Sequence, residues 1–464
     1  MGCGGFTMAL EEEIPMDADR PTLQRLIARF MESFSGLGGE APPLMAEQWA
    51  VLVHEVMSGR GRQYHTVDHV FDISEGASPL ATLSILFHDT VYYQADGGLL
   101  PHLESRVGDA VVEEGGEVKL APLDTAQDPL KSMVAALFGF ESGATLSPYG
   151  GLNEFLSALL AAREIGDHLP RGTVAQVAAC IEATIPFRPV GEDGVGPLHR
   201  LHCRLAGVNT AFELGLDDAA MEQCVVQAAD VANRDVGNFA STDPTVFLDN
   251  TWKLLPETNN ALRGQRLYTV TDYRLALEKM TGFLGFLSPG VVFQDFAGFP
   301  TSEELAGMTA QAGKNIALGA EYLRAKLLAA RVVEALALHT GGNAPIALFM
   351  GDLPEPGKPA TKRLEDFLPG LDGDPAPSAD ATVLSLLVTG RTLASGFDLK
   401  TSPMAAFFYH RLGDEGVKAH LETAKSMDDA KVWLDSLPDE LVGAVAKASA
   451  EIAVSRRDAL LALA

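Results

Sequence analysis

Apolar residues recur at helical spacing along most of this chain, and this pattern constrains the fold more than any other sequence feature. In residues 22–37, apolar side chains lie at i, i+3 and i+4 intervals and form a single stripe. The same periodicity is found in 46–59, 79–93, 152–168, 171–187, 197–215 and 217–240. Alternating β-branched runs are short and few, so the sequence predicts an all-α protein.

Glycine and proline divide this helical pattern, most clearly in the proline-rich segment 351–380. We interpret that segment as a linker or an extended excursion over the surface. Before it, 302–341 is predicted to form a long helix or a helix pair, with Thr301 and Glu304 as a capping box. The predicted segments are an N-terminal helical extension (1–45), a helical domain that carries the chemistry (46–240), a helical continuation that completes the substrate pocket (241–345), a Pro/Gly-rich linker (346–380) and a C-terminal helical appendage (381–464).

The charge balance limits the partners of the chain. It has 62 acidic against 35 basic residues, a formal net charge of −27. Such a surface repels long nucleic acids and anionic membranes, so neither is an expected partner, and it also repels a small anionic substrate. A phosphate site must then carry its own positive charge, from a metal ion or an arginine.

The location of the protein is predicted from three further features. The N-terminus turns acidic where a signal peptide would have its apolar stretch, and no run of apolar residues is long enough to span a membrane. The four cysteines are scattered without a CxxC pair, which disfavours a disulfide framework. We therefore expect a cytoplasmic enzyme, and whether two copies pair into a homodimer is left open.

Histidine and aspartate residues occur in three fragments that together could bind a metal ion. The first fragment contains His65 and His69, which share a face if the segment is helical. The second is the doublet His88-Asp89, which follows an apolar helix, and the third places Asp230 near the end of another helix. Imidazole and carboxylate ligands suit Mn, Fe, Zn, Mg, Co or Ni, and two of each leave coordination positions open for water and substrate.

Two of these fragments resemble motifs of a known superfamily. YHTVDHV (64–70) and FHDTVY (87–92) are similar to motifs of the small predicted HD phosphohydrolases and, more distantly, of the cyclic-nucleotide phosphodiesterases. The resemblance covers about residues 45–240 and implies an HD-domain helical bundle with metal-dependent phosphohydrolase activity. It implies that the ligands are His69, His88, Asp89 and Asp230.

The resemblance also implies roles within the site. Asp89 would bridge two ions if two bind, and His65 would be the general acid. Tyr92 and Phe187 stand where related sequences often carry further histidines, so the number of ions, one or two, is left open.

Other residues are candidates for binding substrate. Arg62 and Arg188 are predicted to clamp a phosphate, because guanidinium matches phosphate geometry, with a surface salt bridge as the alternative. Asn233 lies about one turn after Asp230 and either contacts substrate or caps the helix. Tyr92 either packs against the metal layer or donates a hydrogen bond to substrate.

Two further pairs have weaker patterns. His199 and His202, spaced i, i+3, either bind a second metal ion or lie on a solvated face. Gln294 and Phe296 either grip a purine, as a glutamine and an aromatic residue do in the phosphodiesterases, or form an apolar helix junction.

The sequence therefore predicts a hydrolase that cleaves a small-molecule phosphoester, such as a nucleotide or cyclic nucleotide. Two alternatives remain open. One is a mixed-valent diiron oxygenase of the HD type, which needs more histidine ligands. The other is a non-catalytic sensor in which 381–464 transmits ligand binding to a partner.

Overall fold

The computed structural model describes residues 20–264, 268–355, 357–427 and 429–464. In these ranges α-helices predominate, which confirms the all-α prediction. The expectation that the chain lacks a signal peptide concerns residues 1–19, which lie outside the described ranges. Of the predicted extension 1–45, residues 20–45 are described, and they contain the first helix and the start of the second.

In its described residues the first half of the chain contains eleven α-helices. The seven predicted helical segments each match one of them, starting within about three residues of its first residue and ending up to about six residues beyond its last. Ser78 and Asp217 cap two of them by accepting hydrogen bonds from Ala81 N and Ala220 N. The helices are α1 (Thr22–Gly36), α2 (Pro43–Met57), α3 (Val67–Ser74), α4 (Pro79–Phe87), α5 (Tyr93–Asp96), α6 (Pro101–Val107), α7 (Pro129–Phe138), α8 (Leu152–Ile165), α9 (Arg171–Ala183), α10 (Pro197–Ala211) and α11 (Asp218–Asp235).

A small antiparallel sheet lies between these helices in the sequence. Its strand order follows the chain, β1 (Val111–Glu114), β2 (Glu117–Leu120) and β3 (Thr145–Leu146). In β1 only Val111 is partly buried and the other three residues are exposed, so this strand contributes little to the core.

The second half contains nine more helices in its described residues. They are α12 (Pro244–Thr258), α13 (Val270–Phe286), α14 (Ser302–Thr340), α15 (Ala347–Met350), α16 (Ala381–Thr389), α17 (Pro403–Ser426), α18 (Ala430–Leu434), α19 (Asp439–Ile452) and α20 (Arg457–Leu461). Short 3-10 helices occupy Gly108–Ala110, Pro148–Gly150, Gly237–Ala240, Asn260–Gly264, Pro289–Val291, Leu364–Phe367 and Val454–Arg456.

The long helix α14 organises the second half. It is one helix of 39 residues, and Thr301 and Glu304 form the predicted capping box at its start. At 1.5 Å per residue it is about 58 Å long. It packs against α13 and α17. Although it is long, neither α14 nor any other helix in the described ranges combines the length and apolarity that crossing a bilayer would require.

Buried side chains form two hydrophobic cores rather than one. The first runs from Leu26 to Ala232 and also includes Phe296. The second runs from Phe239 to Leu460. The predicted appendage 381–464 thus shares its core with 241–345, because α16 to α20 pack with α14 around common apolar side chains.

The proline-rich segment is irregular over most of its length, but it is anchored to the second core. Phe349 and Leu364 are fully buried there. Between them, the Arg363 guanidinium donates to the carbonyl oxygens of Gly351 and Asp352. The predicted linker is therefore a surface excursion that is anchored to the second core through residues 349–364.

Candidate metal centre

Four side chains at the ends of helices converge near the boundary between the two cores. One potential ligand atom from each lies within 4.8 Å of the others. The four residues are His69, His88, Asp89 and Asp235.

The local structure explains how each side chain reaches this point. His69 lies in the first turn of α3, and His88 follows the last residue of α4 with Asp89 next in the chain. Asp235 is the last residue of α11. Helix ends approach one another more closely than helix bodies can, which allows short carboxylates to meet two imidazoles.

The distances within the cluster are short. His69 Nε2 lies 3.0 Å from Asp235 Oδ1 and 4.0 Å from Asp89 Oδ2. His88 Nε2 lies 2.7 Å from Asp89 Oδ2 and 3.4 Å from Asp235 Oδ1. Both imidazoles therefore direct Nε2 towards the same two carboxylates.

The hydrogen bond of His88 to the backbone determines which of its ring nitrogens faces the cluster. Its Nδ1 lies 2.8 Å from the carbonyl oxygen of Ile85, so Nδ1 carries the proton and donates it there. Nε2 then faces the cluster. Although burial lowers the pKa of His88, the charges of Asp89 and Asp235 raise it well above its usual value. Nε2 of His88 and Oδ2 of Asp89 are buried, and their contact of 2.7 Å is an ion pair whose geometry is not that of a regular hydrogen bond. Buried polar atoms in this state are costly, and a cation among them would satisfy both.

The electrostatics of the cluster favour ionised carboxylates. Burial alone would raise the pKa of Asp235, but hydrogen bonds from His69 and His88 lower it to about 2. Burial likewise opposes ionisation of Asp89, whose pKa is nevertheless well below its usual range because of the charges of His88 and His65. Both carboxylates are thus available as anionic ligands at neutral pH.

Asp230, predicted as the fourth ligand, lies away from this cluster. Its carboxylate pairs with Arg234 at 2.8 Å and its side chain is 27% exposed. The position that we assigned to Asp230 is occupied by Asp235. The buried residues Ala228, Val231 and Ala232 of α11 explain the correction, because helical periodicity continues their stripe to 235 rather than to 230.

His65 lies beside the cluster but not on the helix of His69. The helix begins at Val67, because Thr66 has an extended backbone (φ −109°, ψ 172°), so the predicted i, i+4 helical relationship is wrong. The two imidazole centroids are nevertheless 6.0 Å apart. His65 therefore borders the cluster from the loop that precedes α3.

Glu257, on α12, holds this loop in place and was missed by the sequence reasoning. One carboxylate oxygen accepts hydrogen bonds from the backbone N–H groups of Gln63, Tyr64 and His65. The other lies 2.5 Å from His65 Nδ1. Burial alone would lower the pKa of His65, but the charges of Glu257 and Asp89 raise it to about 9. No sequence signal marks Glu257, because its partner lies 192 residues earlier.

A cavity of about 640 Å³ opens beside the cluster, which is a typical volume for a small-molecule site. Both cores contribute to its walls, since α12 and α13 face residues of the first half across it. The cluster side of the cavity includes Tyr64, His65, Asp89, Tyr92 and Asp235.

Of the four predicted substrate-binding residues, one lines the cavity and three do not. Tyr92 lines the cavity, with its ring centroid 4.3 Å from that of His65. Asn233 exchanges hydrogen bonds with the backbone of Gln294 and does not line the cavity. The two arginines, Arg62 and Arg188, also lie outside its walls.

Both arginines are engaged in internal ion pairs. Arg62 is buried, pairs with Asp96 at 2.6 Å and donates to the carbonyl oxygens of Asp89 and Thr90. Arg188 pairs with the buried carboxylate of Glu182 at 2.6 Å. Their positions support structural roles, with Arg62 fixing the backbone of the His88-Asp89 doublet.

The two weaker candidate pairs, His199 with His202 and Gln294 with Phe296, lie away from the cavity. His199 and His202 both pack against the ring of Phe296, with centroid distances of 5.0 and 5.4 Å. Gln294 binds Asn233 through its backbone, and neither Gln294 nor Phe296 lines the cavity. Phe296 alone joins the segment before α14 to α10, while His199 is exposed to solvent and Gln294 is bonded to α11 instead.

Comparison of the chain with protein-family models, with curated proteins and with solved structures returns no match.

Proposed function

We propose that this protein is a metal-dependent phosphohydrolase of the HD superfamily that cleaves phosphoester bonds of small molecules. The observation that carries the proposal is the convergence of His69, His88, Asp89 and Asp235 beside a cavity of about 640 Å³. With Asp235 in the fourth place, the chain keeps the order that the resemblance implies, namely a histidine, a His-Asp doublet and a distant aspartate.

The donor set fits a divalent ion such as Mn, Fe, Zn, Mg, Co or Ni. Nε2 of His88 and Oδ2 of Asp89, which are buried and make no regular hydrogen bond, are the atoms that most need such an ion. When bound, it would provide an activated water and neutralise charge on the phosphoryl oxygens. Whether a second ion binds is left to measurement.

His65 is the proposed proton donor to the leaving oxygen. Because Glu257 occupies its Nδ1, the ring offers Nε2 to the cavity. The pKa of about 9 keeps the imidazole protonated at neutral pH, as a general acid requires. Glu257 is a positioning residue, since it fixes both the ring and the backbone of 63–65.

The two alternatives have less support. A diiron oxygenase needs additional histidines, yet His199 and His202 pack against Phe296 rather than in the cluster. A sensor has no need for a cluster of four potential metal ligands beside a protonated histidine.

The experiment is turnover of p-nitrophenyl phosphate and bis(p-nitrophenyl) phosphate by purified protein, with each of the six metals added after chelation. We expect metal-dependent release of p-nitrophenolate from the wild type. Asp89→Asn should lower kcat at least about 10²-fold, because it removes a ligand and its charge. Asp230→Asn, on the exposed side of α11, is the matched control and should retain activity.

Equal rates for the wild type and Asp89→Asn across these substrates and small-molecule phosphoesters would overturn the hydrolase proposal. A visible or EPR signal of mixed-valent iron in aerobically purified protein would instead favour the oxygenase.

A further inference from the structure

We propose that the second core contains a binding site for the charged head of a free α-amino acid, in a cavity that the proline-rich segment closes against α14. This cavity shares no lining residue with the one beside the metal centre. The site therefore goes beyond the proposed phosphohydrolase function and does not depend on it. It also gives a role to a segment that the sequence identified only as a linker or a surface excursion.

The cavity lies between α14 and the anchored part of the proline-rich segment. Lys326 and Val333 of α14 line one side, and residues 350–353 with Arg363 line the other. Its volume is about 70 Å³. That is about half of the roughly 150 Å³ of a cavity that holds a benzene ring, so only a few atoms of a ligand can be enclosed. Asp352 is exposed at the rim, where the rest of a ligand could extend into solvent.

A sharp turn of the chain forms the outer wall of this cavity. Gly351 has a φ of 80°, in the left-handed region, and a β-carbon at this position would lie 2.9 Å from the carbonyl oxygen of Lys362. The Arg363 guanidinium fixes the turn by donating to the carbonyl oxygens of Gly351 and Asp352. The outer wall is therefore held in a defined position over α14.

The charged groups inside the cavity form two pairs of opposite sign. Lys326 Nζ lies 2.7 Å from Asp398 Oδ2, and Arg363 Nε lies 3.3 Å from Glu365 Oε2. All four residues line the cavity. Because each cation has a carboxylate beside it, a simple anion or a simple cation would bring in a buried charge without compensation. A zwitterion adds no net charge, so it suits this arrangement better.

Both pairs have hydrogen-bonding capacity that the described residues do not use. Nε of Arg363 and Oε2 of Glu365 are buried, and neither makes a regular hydrogen bond there. The Lys326 ammonium has three N–H groups and donates two of them, to Asp398 and to Ser402 Oγ at 3.0 Å. A ligand carboxylate would accept from Lys326 and Arg363, and a ligand ammonium would donate to Glu365.

The burial of Lys326 supports the position of the ligand carboxylate. Burial lowers the pKa of Lys326, although the charge of Asp398 acts in the opposite direction. Its one carboxylate partner therefore does not fully compensate for the loss of solvent, and a second carboxylate would stabilise the ammonium form.

Aromatic rings favour the ammonium end of the ligand. Tyr268, Tyr273 and Phe397 line the cavity, and none of them is more than 7% exposed. The centroids of the two tyrosine rings are 6.1 Å apart. Aromatic faces attract cations, so these rings add to the attraction that the Glu365 carboxylate exerts on an ammonium group.

A free α-amino acid has the required chemistry in the smallest form. Its ammonium and carboxylate groups are attached to one carbon atom, so both fit into a cavity that encloses only a few atoms. Its side chain would extend past the rim at Asp352. An amino acid within a peptide lacks one or both of these charges and does not match the two pairs.

The test begins with the thermal midpoint of metal-loaded, desalted protein in the presence of each common amino acid in turn. Desalting removes free metal ions, which would otherwise bind the amino acid. We expect at least one amino acid to raise the midpoint, because it binds the folded state. Calorimetry then compares this amino acid with its N-acetyl derivative and its amide. Each derivative lacks one charge and should bind at least about tenfold more weakly.

Two cavity variants and a control assign the binding to residues. Glu365→Gln and Lys326→Met should each weaken binding of the same amino acid about tenfold or more, because each removes the partner of one charged group. Glu440→Gln, at an exposed glutamate of α19 outside the cavity, is the matched control and should bind like the wild type. The midpoint without ligand shows whether each variant folds. Should Lys326→Met not fold, Glu365→Gln, which keeps the shape of the side chain, decides the assignment.

Three results would overturn this inference. If no amino acid raises the midpoint or binds in the calorimeter, the cavity holds only solvent. If the N-acetyl derivative or the amide binds as tightly as the amino acid, the site recognises a simple anion or a simple amine. If Glu365→Gln binds with wild-type affinity, the amino acid lies elsewhere in the protein.

Discussion

Oδ1 of Asp235 lies 3.0 Å from Nε2 of His69, although 166 residues separate them in the chain. This contact joins the end of α11 to the start of α3, and His88 and Asp89 complete the group at the end of α4. The cluster therefore depends on the packing of three helices in the first core. The cavity beside it depends in addition on α12 and α13 of the second core.

The first prediction concerns proton donation by His65. Replacing Glu257 by Gln removes the charge that holds the His65 imidazole protonated. We expect kcat for an alkyl phosphoester to fall about 10²-fold, within the usual range for general acid catalysis, with KM little changed. For p-nitrophenyl esters the loss should be much smaller, because p-nitrophenolate departs without protonation. Steady-state kinetics on the two ester types measures this difference.

A purely structural role for Glu257 would lower kcat equally for both ester types. The variant His65→Asn is the matched control, since it removes the proposed acid itself. Like Glu257→Gln, it should lower kcat strongly for the alkyl ester and weakly for p-nitrophenyl esters. A different pattern would contradict the proposal that Glu257 acts through His65.

The second prediction concerns Arg62, which the sequence assigned to phosphate binding. Its buried guanidinium pairs with Asp96 and donates to the backbone of Asp89. Arg62→Met should lower the free energy of unfolding by about 3–5 kcal/mol, because the Asp96 carboxylate would stay buried without its partner. Urea denaturation measures this loss. An increase in KM with unchanged stability would instead restore the substrate-clamp hypothesis.

The third prediction concerns a buried ion network in the second core. Asp398 accepts from Lys326 Nζ at 2.7 Å and from the indole of Trp252 at 2.8 Å, and the Arg391 guanidinium lies 3.7 Å away. Asp398→Asn removes the negative charge that Lys326 and Arg391 share. We therefore expect the free energy of unfolding, measured by urea denaturation, to fall by about 3–5 kcal/mol.

The exposed pair of Glu422 and Lys425 provides the control for that network. Glu422→Gln should lower the free energy of unfolding by less than about 1 kcal/mol, because solvent screens the pair. If both variants proved equally mild, the buried network would not hold the second core together.

The fourth prediction concerns stabilisation by the ion. A ligand that binds only the folded state at 100 times its Kd stabilises that state by about 2.7 kcal/mol. Adding Mn²⁺ to chelated protein should therefore raise the thermal midpoint. The increase should be absent in His88→Ala, which lacks the imidazole nitrogen that faces the cluster. An equal increase in that variant would place the bound ion elsewhere.

Much of the fold was predictable because local patterns determine it. The starts of α1, α8 and α11 follow from the periodicity of their apolar residues, and the capping box of α14 follows from Thr301 and Glu304. The shared core of 241–345 and 381–464 was not predictable, because it depends on contacts between segments that are distant in the chain.

The candidate site was predictable in part for the same reason. His69, His88 and Asp89 stand in short motifs, and the structure brings them together. Asp235 was missed because the apolar residues around Asp230 favoured that aspartate. Only the exact rotation of α11 shows that its buried stripe ends at 235. Glu257 belongs to a segment without a motif, and only the tertiary packing brings it to His65.

The most direct test is the metal content of Asp235→Asn and Asp230→Asn, two variants of the same helix that differ by five positions. After chelation, reloading with Mn²⁺ and desalting, inductively coupled plasma mass spectrometry should find the wild-type amount of metal in Asp230→Asn and a loss of at least about tenfold in Asp235→Asn. Full metal in Asp235→Asn, or a loss confined to Asp230→Asn, would contradict the proposed metal centre.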